Sequence, residues 1–179
     1  NEALTNLDGL SSLTSVEGDL GIVINLALTN LDGLRNITAV AGNLDIAATY
    51  VTNLDGLANV ASVGGDLNVV GNPYLSNCQG VAQVLGWPNG PPDDSVGGSI
   101  RLEANATGCN SVEEILAAKT VVISAFVERF YTNILGRPSD EGGMNNWLNV
   151  INTQSASTVA LGFLNSVEFK NKGLDDAAF

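Results

Sequence analysis

The chain has 179 residues with 19 acidic and 7 basic side chains, a formal charge of −12, and no histidine. Without histidine it lacks the commonest general base, the usual base partner of Ser and Cys nucleophiles, and the commonest transition-metal ligand. Residues 1–118 hold 13 acids against 2 bases, a net of −11, which argues against nucleic acid and against anionic lipid as partners.

The length fits one or two domains. No apolar run approaches a membrane span, so direct membrane insertion is not expected. The chain opens at Asn1, inside a repeat and with no signal peptide, and reads as a processed or excised part of a longer secreted protein.

From the start a motif recurs. LTNLDGL at 4–10 returns at 28–34 and comes back as VTNLDGL at 51–57. A second element keeps the same spacing: LTSVEGDLGI from Leu13, ITAVAGNLDI from Ile37, VASVGGDLNV from Val60. The shifts are 24 and then 23 residues for both, a period that predicts stacked turns of a solenoid.

Each period predicts two short strand-like runs. Leu4, Leu7 and Leu10 align with Leu28, Leu31 and Leu34, then with Val51, Leu54 and Leu57. In the second run Leu20 and Ile22 align with Leu44 and Ile46, then with Leu67 and Val69, and alternate with polar positions as a half-buried strand does. Turns of so short a chain segment bury side chains only against their neighbours, so these rows point inward. Gly9, Gly33 and Gly56 follow aspartate, a turn signal in which glycine is expected to supply positive φ.

The alignment also stacks polar residues. Asn6, Asn30 and Asn53 form one row; Asp8, Asp32 and Asp55 form another. The plainer expectation is that the Asp side chains accept turn N–H groups while the Asn side chains ladder along the corner. The competing reading is a calcium ladder on Asp8, Asp32 and Asp55, since hard cations take oxygen ligands, although no EF-hand spacing is present. The solvent face of the main sheet is expected to show Asp19, Gly21 and Val23, then Asn43, Asp45 and Ala47, then Asp66, Asn68 and Val70. With no aromatic or arginine among them, this face suits packing against another sheet or a repeating partner. Asp19, Asn43, Asp45, Asp66 and Asn68 are its candidate binding residues.

After Asn72-Pro73 the repeat is expected to break into a cap over residues 73–118. It holds Cys78, the loop WPNGPPDD at 87–94, the strand-like SIRL at 99–102 and Cys109. Terminal turns need a different sequence to close the core. Two cysteines flanking such a cap in a secreted chain read most simply as a disulfide; a metal pair or redox couple needs closer spacing or more ligands.

SVEGDLGI and its repeats, the Asn77-Cys78 cap start and the closing run SIRLEANATGCNSVEEI at 99–115 resemble the receptor L-domain group. That group comprises leucine-rich-repeat-like right-handed β-helices of cell-surface proteins. The resemblance implies an extracellular, non-catalytic module. The middle repeat departs from the pattern at Thr49, where its neighbours have Asn25 and Asn72, which interrupts an inner asparagine ladder.

The remainder, 119–179, reads as a small all-α domain. Ser111 caps a first helix with Glu113 and Glu114 in its first turn. Ile123, Phe126, Val127, Phe130, Tyr131 and Ile134 form its apolar stripe, and Gly136 with Pro138 stops it. Asp140 caps a second helix carrying Met144, Trp147, Leu148 and Ile151. Ser155 or Ser157 caps a third with Val159, Phe163, Leu164 and Val167, and Ser166 starts a short turn around Phe169. Gly173–Phe179 reads as the first turn of a further helix. Arg137, Asp140 and Glu141 read as helix cap and ion pair rather than as a site.

FVERFYTNILGRPSDEGGMNNWLNVI with VALGFLNSVEF resembles a small helical domain of unknown function found in S-layer-like and RTX-type secreted bacterial proteins. LGRPSDEGGMNNW is also similar to a loop of phycobilisome linker domains.

The fold expectation is therefore α+β: a short right-handed parallel β-solenoid with a disulfide-closed cap, followed by a small helical domain. The functional expectation is a non-catalytic adhesion or assembly module at the cell surface, with a protein or surface partner or with itself as partner. The alternatives are an S-layer or filament subunit and a calcium-dependent exoprotein segment; a polysaccharide lyase or hydrolase is the weakest class, for want of a base beside the acids. No cofactor is expected apart from the calcium reading.

Overall fold

The computed structural model describes residues 1, 3–88, 95–154 and 156–172. Ser155 as a helix cap, the tail 173–179 and most of the 87–94 loop fall outside the described residues. The chain is mixed α/β and divides into two compact units, Asn1–Lys119 and Thr120–Phe179.

In the first unit each of the first three repeats contributes a 3₁₀ turn, a two-residue strand and a longer strand, and a fourth contributes a 3₁₀ turn and a longer strand. The turns are Asp8–Leu10, Asp32–Leu34, Asp55–Leu57 and Gln79–Val81. The short strands β1 (Ser15–Val16), β3 (Ala39–Val40) and β5 (Ser62–Val63) make one parallel sheet. The long strands β2 (Leu20–Asn25), β4 (Leu44–Thr49), β6 (Leu67–Val70) and β7 (Ile100–Glu103) make a second parallel sheet in that order. Leu20 pairs with Leu44, Leu44 with Leu67 and Leu67 with Ile100, so the sequence period is the strand register.

The segment expected to be all cap begins with a fourth repeat. Leu75, Cys78 and Val81 occupy the rows of Leu28, Leu31 and Leu34, and all three are buried. Ile100 and Leu102 then extend the strand rows. The sequence period does not reveal this repeat because Leu67 and Ile100 lie 33 residues apart rather than 23. The Cys78–Cys109 disulfide closes behind it, with Cα atoms 5.6 Å apart.

The glycines that follow aspartate or glutamine in the second, third and fourth repeats serve close approach, not positive φ. Among the described glycines only Gly71, Gly86, Gly108 and Gly136 have positive φ. A Cβ on Gly33, Gly56 or Gly80 would lie 1.9, 1.9 or 1.8 Å from the carbonyl oxygen of Leu7, Leu31 or Leu54 in the preceding repeat. No side chain fits there. The left-handed position instead lies at the end of each long strand, at Ile24 and Ala48 one residue inside the ends of β2 and β4 and at Gly71 and Ala104 just after β6 and β7.

In the second unit α1 (Val112–Phe130), which begins in the first unit, loosens into a π-helical turn at Tyr131–Leu135 and ends at left-handed Gly136. Ser111 caps its start, its Oγ accepting from Glu114 N at 3.1 Å. Then come α2 (Glu141–Thr153), α3 (Ala156–Asn165) and α4 (Val167–Asn171). Phe163 lies at the centre of the core, stacked on Trp147 at 4.8 Å and on Phe130 at 5.3 Å, with Tyr131 edge-on at 4.9 Å. Of the apolar residues expected to face this core, Leu164 is exposed, inside α3 beside the buried Phe163, and Val167 is 74 % exposed because α3 ends at Asn165 before it. Ser157 lies inside α3 and is not its cap.

Candidate functional site

The Asn and Asp rows at the 3₁₀ turn act in the reverse of the expected sense. Asn6, Asn30, Asn53 and Asn77 each accept, through Oδ1, the N–H two residues ahead, at 3.2, 3.1, 3.0 and 3.1 Å. These are Asx turns, in which a side-chain amide stands in for a backbone acceptor. Asp8, Asp32 and Asp55 supply the N–H groups in the first three repeats and point their carboxylates to solvent, Asp32 pairing loosely with Arg35 at 3.8 Å. Among the described residues no group of three or more Asp, Glu or Cys side chains lies close enough to hold a metal ion.

Three candidate face residues are instead rungs between repeats. Asp19 Oδ1 accepts Asn43 N–H at 2.7 Å, Asn43 Oδ1 accepts Asp66 N–H at 2.8 Å, and Asp66 Oδ1 accepts Ser99 N–H at 2.7 Å. Each acceptor oxygen lies 2.2 Å from where a Cβ would stand on Gly42, Gly65 or Gly98, which is why glycine precedes the rung position in the second, third and fourth repeats. An aspartate or asparagine therefore needs a glycine one repeat later. The corner beyond the sheet has a second ladder, and it is buried. Thr49 donates its N–H and hydroxyl to Asn72 Oδ1 at 3.0 and 2.7 Å, and Asn72 Nδ2 donates to the Ile46 carbonyl at 2.9 Å. Asn105 continues it, donating to the carbonyls of Val69 and Cys109 at 2.8 and 2.9 Å. Threonine thus substitutes for asparagine at 49 without breaking the ladder on that side.

What remains on the open face of the long-strand sheet is a shorter polar row. Asp45 and Asn68 pair at 2.7 Å, and the next strand brings Arg101 into register with Asn68. Arg101 forms an ion pair with Glu103 on the same face. This face therefore carries an arginine, contrary to the reading of its first three strands alone. The fourth strand supplies it, and the longer spacing had hidden that strand.

Aromatic groups lie at the corner rather than on the sheet. Tyr50 and Tyr74, 41 % and 58 % exposed, meet edge to face with ring centroids 5.0 Å apart. Each stands directly before the residue that opens a repeat, Val51 or Leu75, and that spacing is the signal that could have found them.

In the helical unit Arg137 is a structural hub. Its Nε and Nη2 donate to the two oxygens of Glu168 at 2.6 and 2.8 Å, its Nη1 reaches Asp140 at 3.2 Å, and its guanidinium lies 4.9 Å from the Tyr131 ring centre. Asp140 caps α2, accepting from Gly143 N–H at 2.8 Å. The Arg137 hydrogen bonds hold Glu168 below the usual carboxylate range, and the Gly143 N–H, followed by Arg137, does the same for Asp140. Burial, then the Asp140 carboxylate, pushes the Tyr131 hydroxyl up. Lys172 Nζ reaches the Leu135 carbonyl at the end of the π-helical turn. Every group here is spent on joining helix ends, which accords with a cap and ion pair.

Among the described residues no helix is long and apolar enough to cross a membrane. No curated protein and no solved structure matches the chain. Residues 108–173 match a sequence family described as a domain of unknown function, DUF4214.

Proposed function

We propose that the chain is a non-catalytic extracellular module for adhesion or assembly. In this reading the first unit is a short right-handed parallel β-solenoid of the receptor L-domain type, and the helical unit is a docking element. The observation that carries it is the Asp19–Asn43–Asp66–Ser99 ladder. Polar side chains that a reaction centre would aim at a substrate are used here to bond repeat to repeat, which makes a rigid surface. The disulfide accords with an oxidising compartment. The exposed Asp45–Asn68–Arg101 row and the Tyr50–Tyr74 pair are the groups such a surface would present, tyrosine and arginine being the side chains that dominate protein interfaces.

Sedimentation velocity over a wide concentration range tests the two forms of this reading. An S-layer or filament subunit associates as concentration rises, whereas an adhesin arm stays monomeric. Turnover of an acidic polysaccharide that disappears in Asp45→Ala would overturn the non-catalytic reading altogether.

A further inference from the structure

The repeat unit has three aromatic side chains, Tyr50, Tyr74 and Trp87, and Trp87 alone is buried. Tyr50 and Tyr74 touch each other at the corner of successive repeats, and both stay open to solvent. Repeat packing does not call for an aromatic there. The same position, directly before the residue that opens a repeat, is Ala3 before Leu4 and Ala27 before Leu28. Past each tyrosine, Val51 and Leu75 are buried, while Thr52 and Ser76 are exposed with the rings. The flanking sequence is neutral: residues 46–54 and 67–92 hold no charged side chain.

This neutral aromatic corner belongs to a strongly acidic unit. Residues 1–118 carry 13 acids and 2 bases, and both bases are already paired, Arg35 with Asp32 and Arg101 with Glu103. The face of a tyrosine ring is the negative part of its quadrupole and attracts a cation laid on it. The field of the surrounding carboxylates draws the same kind of group.

We propose that the Tyr50–Tyr74 corner is the docking site for a basic segment of a partner protein, with an arginine or lysine side chain lying on the rings. Charge complementarity selects this occupant. A second copy of the chain carries the same net −12 and is repelled. No stretch of the chain itself is basic: its closest bases, Lys170 and Lys172, flank Asn171, and Lys172 is held at the Leu135 carbonyl. A neutral glycan would stack on the same rings but gain nothing from the charge. The corner lies where the second repeat passes into the third and the third into the fourth, so each tyrosine has a repeat before and after it. The inference rests on the adhesion or assembly reading and names its partner. Polysaccharide turnover lost in Asp45→Ala would sink that reading, whereas the titration below reports on this corner alone.

The test is fluorescence anisotropy of a labelled peptide of five arginines alternating with glycines, titrated with the full chain at about 50 mM and about 200 mM salt. Saturable binding is expected, weaker at the higher salt. Tyr50→Ala or Tyr74→Ala should weaken it about threefold and the two together about tenfold, from loss of the ring faces. Tyr50→Phe with Tyr74→Phe should bind like the parent, since phenylalanine keeps the ring. All variants should keep the parent circular dichroism spectrum, because both side chains are exposed. Absence of binding would overturn the proposal. Equal binding by the double alanine variant would overturn it in favour of charge alone. Equal binding of a peptide with every arginine replaced by citrulline would overturn it in favour of a neutral ligand.

Discussion

Asp19 and Gly42 occupy one another's space: the carboxylate oxygen that accepts Asn43 N–H at 2.7 Å lies 2.2 Å from where a Gly42 Cβ would stand. The pairing recurs as Asn43 with Gly65 and Asp66 with Gly98, so a polar rung and a bare backbone are conditions of each other. Gly42→Ala or Gly65→Ala should therefore cost about 1–3 kcal/mol, the range for forced overpacking. Gly18→Ala, in the same row without a neighbour, should be neutral. Urea denaturation of the three variants checks this.

Asn72 is fully buried and bonds to Thr49, Ile46 and Asn105. Asn72→Ala leaves the Thr49 hydroxyl and the Ile46 carbonyl without this partner, at about 1–3 kcal/mol for each group left unsatisfied. We expect a loss of about 3 kcal/mol or more, read as a lowered urea midpoint. Thr49→Asn should be much milder, since an asparagine side chain serves the same row at Asn25, Asn72 and Asn105.

The Cys78–Cys109 link closes 31 residues behind the fourth repeat. On the chain-entropy account, opening it costs about 3–4 kcal/mol. A Cys78→Ser/Cys109→Ser double variant should show this by thermal melting. Dithiothreitol should lower the Tm of the parent and leave that of the variant unchanged.

The helical unit should fail in acid before the repeats do. Glu168 and Asp140 both titrate below their ordinary values of 4.5 and 3.8 in the folded chain. Their contribution is complete above those unfolded values and is lost as pH falls through the lowered folded ones. Both groups are exposed, so the effect is modest and weakens with salt. Far-UV circular dichroism between about pH 5 and 2 should show helix loss in the parent. In Glu168→Gln the unit is weaker at neutral pH, and its acid transition is correspondingly shallower.

The sequence carried the leucine rows, the helix caps at Ser111, Asp140 and Ser166, and the stop at Gly136, because each is local chemistry repeated or placed at a helix end. It could not carry the reason for the glycines. Asp-Gly reads as a positive-φ turn, and only the neighbouring repeat shows that a Leu carbonyl occupies the Cβ position. The fourth repeat was hidden by its longer spacing, and with it Arg101 on the open sheet face. Helical period extended from Val159 and Phe163 reaches Val167, but it does not see that α3 ends at Asn165, so Val167 lies on a new helix. Which of Asn6 and Asp8 accepts the turn N–H was equally beyond composition, since both residue types favour such turns.

The most direct test of the repeat architecture is the set of interstrand NOEs across the long-strand sheet in isotope-labelled protein. The account predicts parallel-strand contacts linking Leu20 with Leu44, Leu44 with Leu67, and Leu67 with Ile100 across 33 residues of sequence. Contacts that pair Leu67 with any other strand, or that run antiparallel, would contradict it.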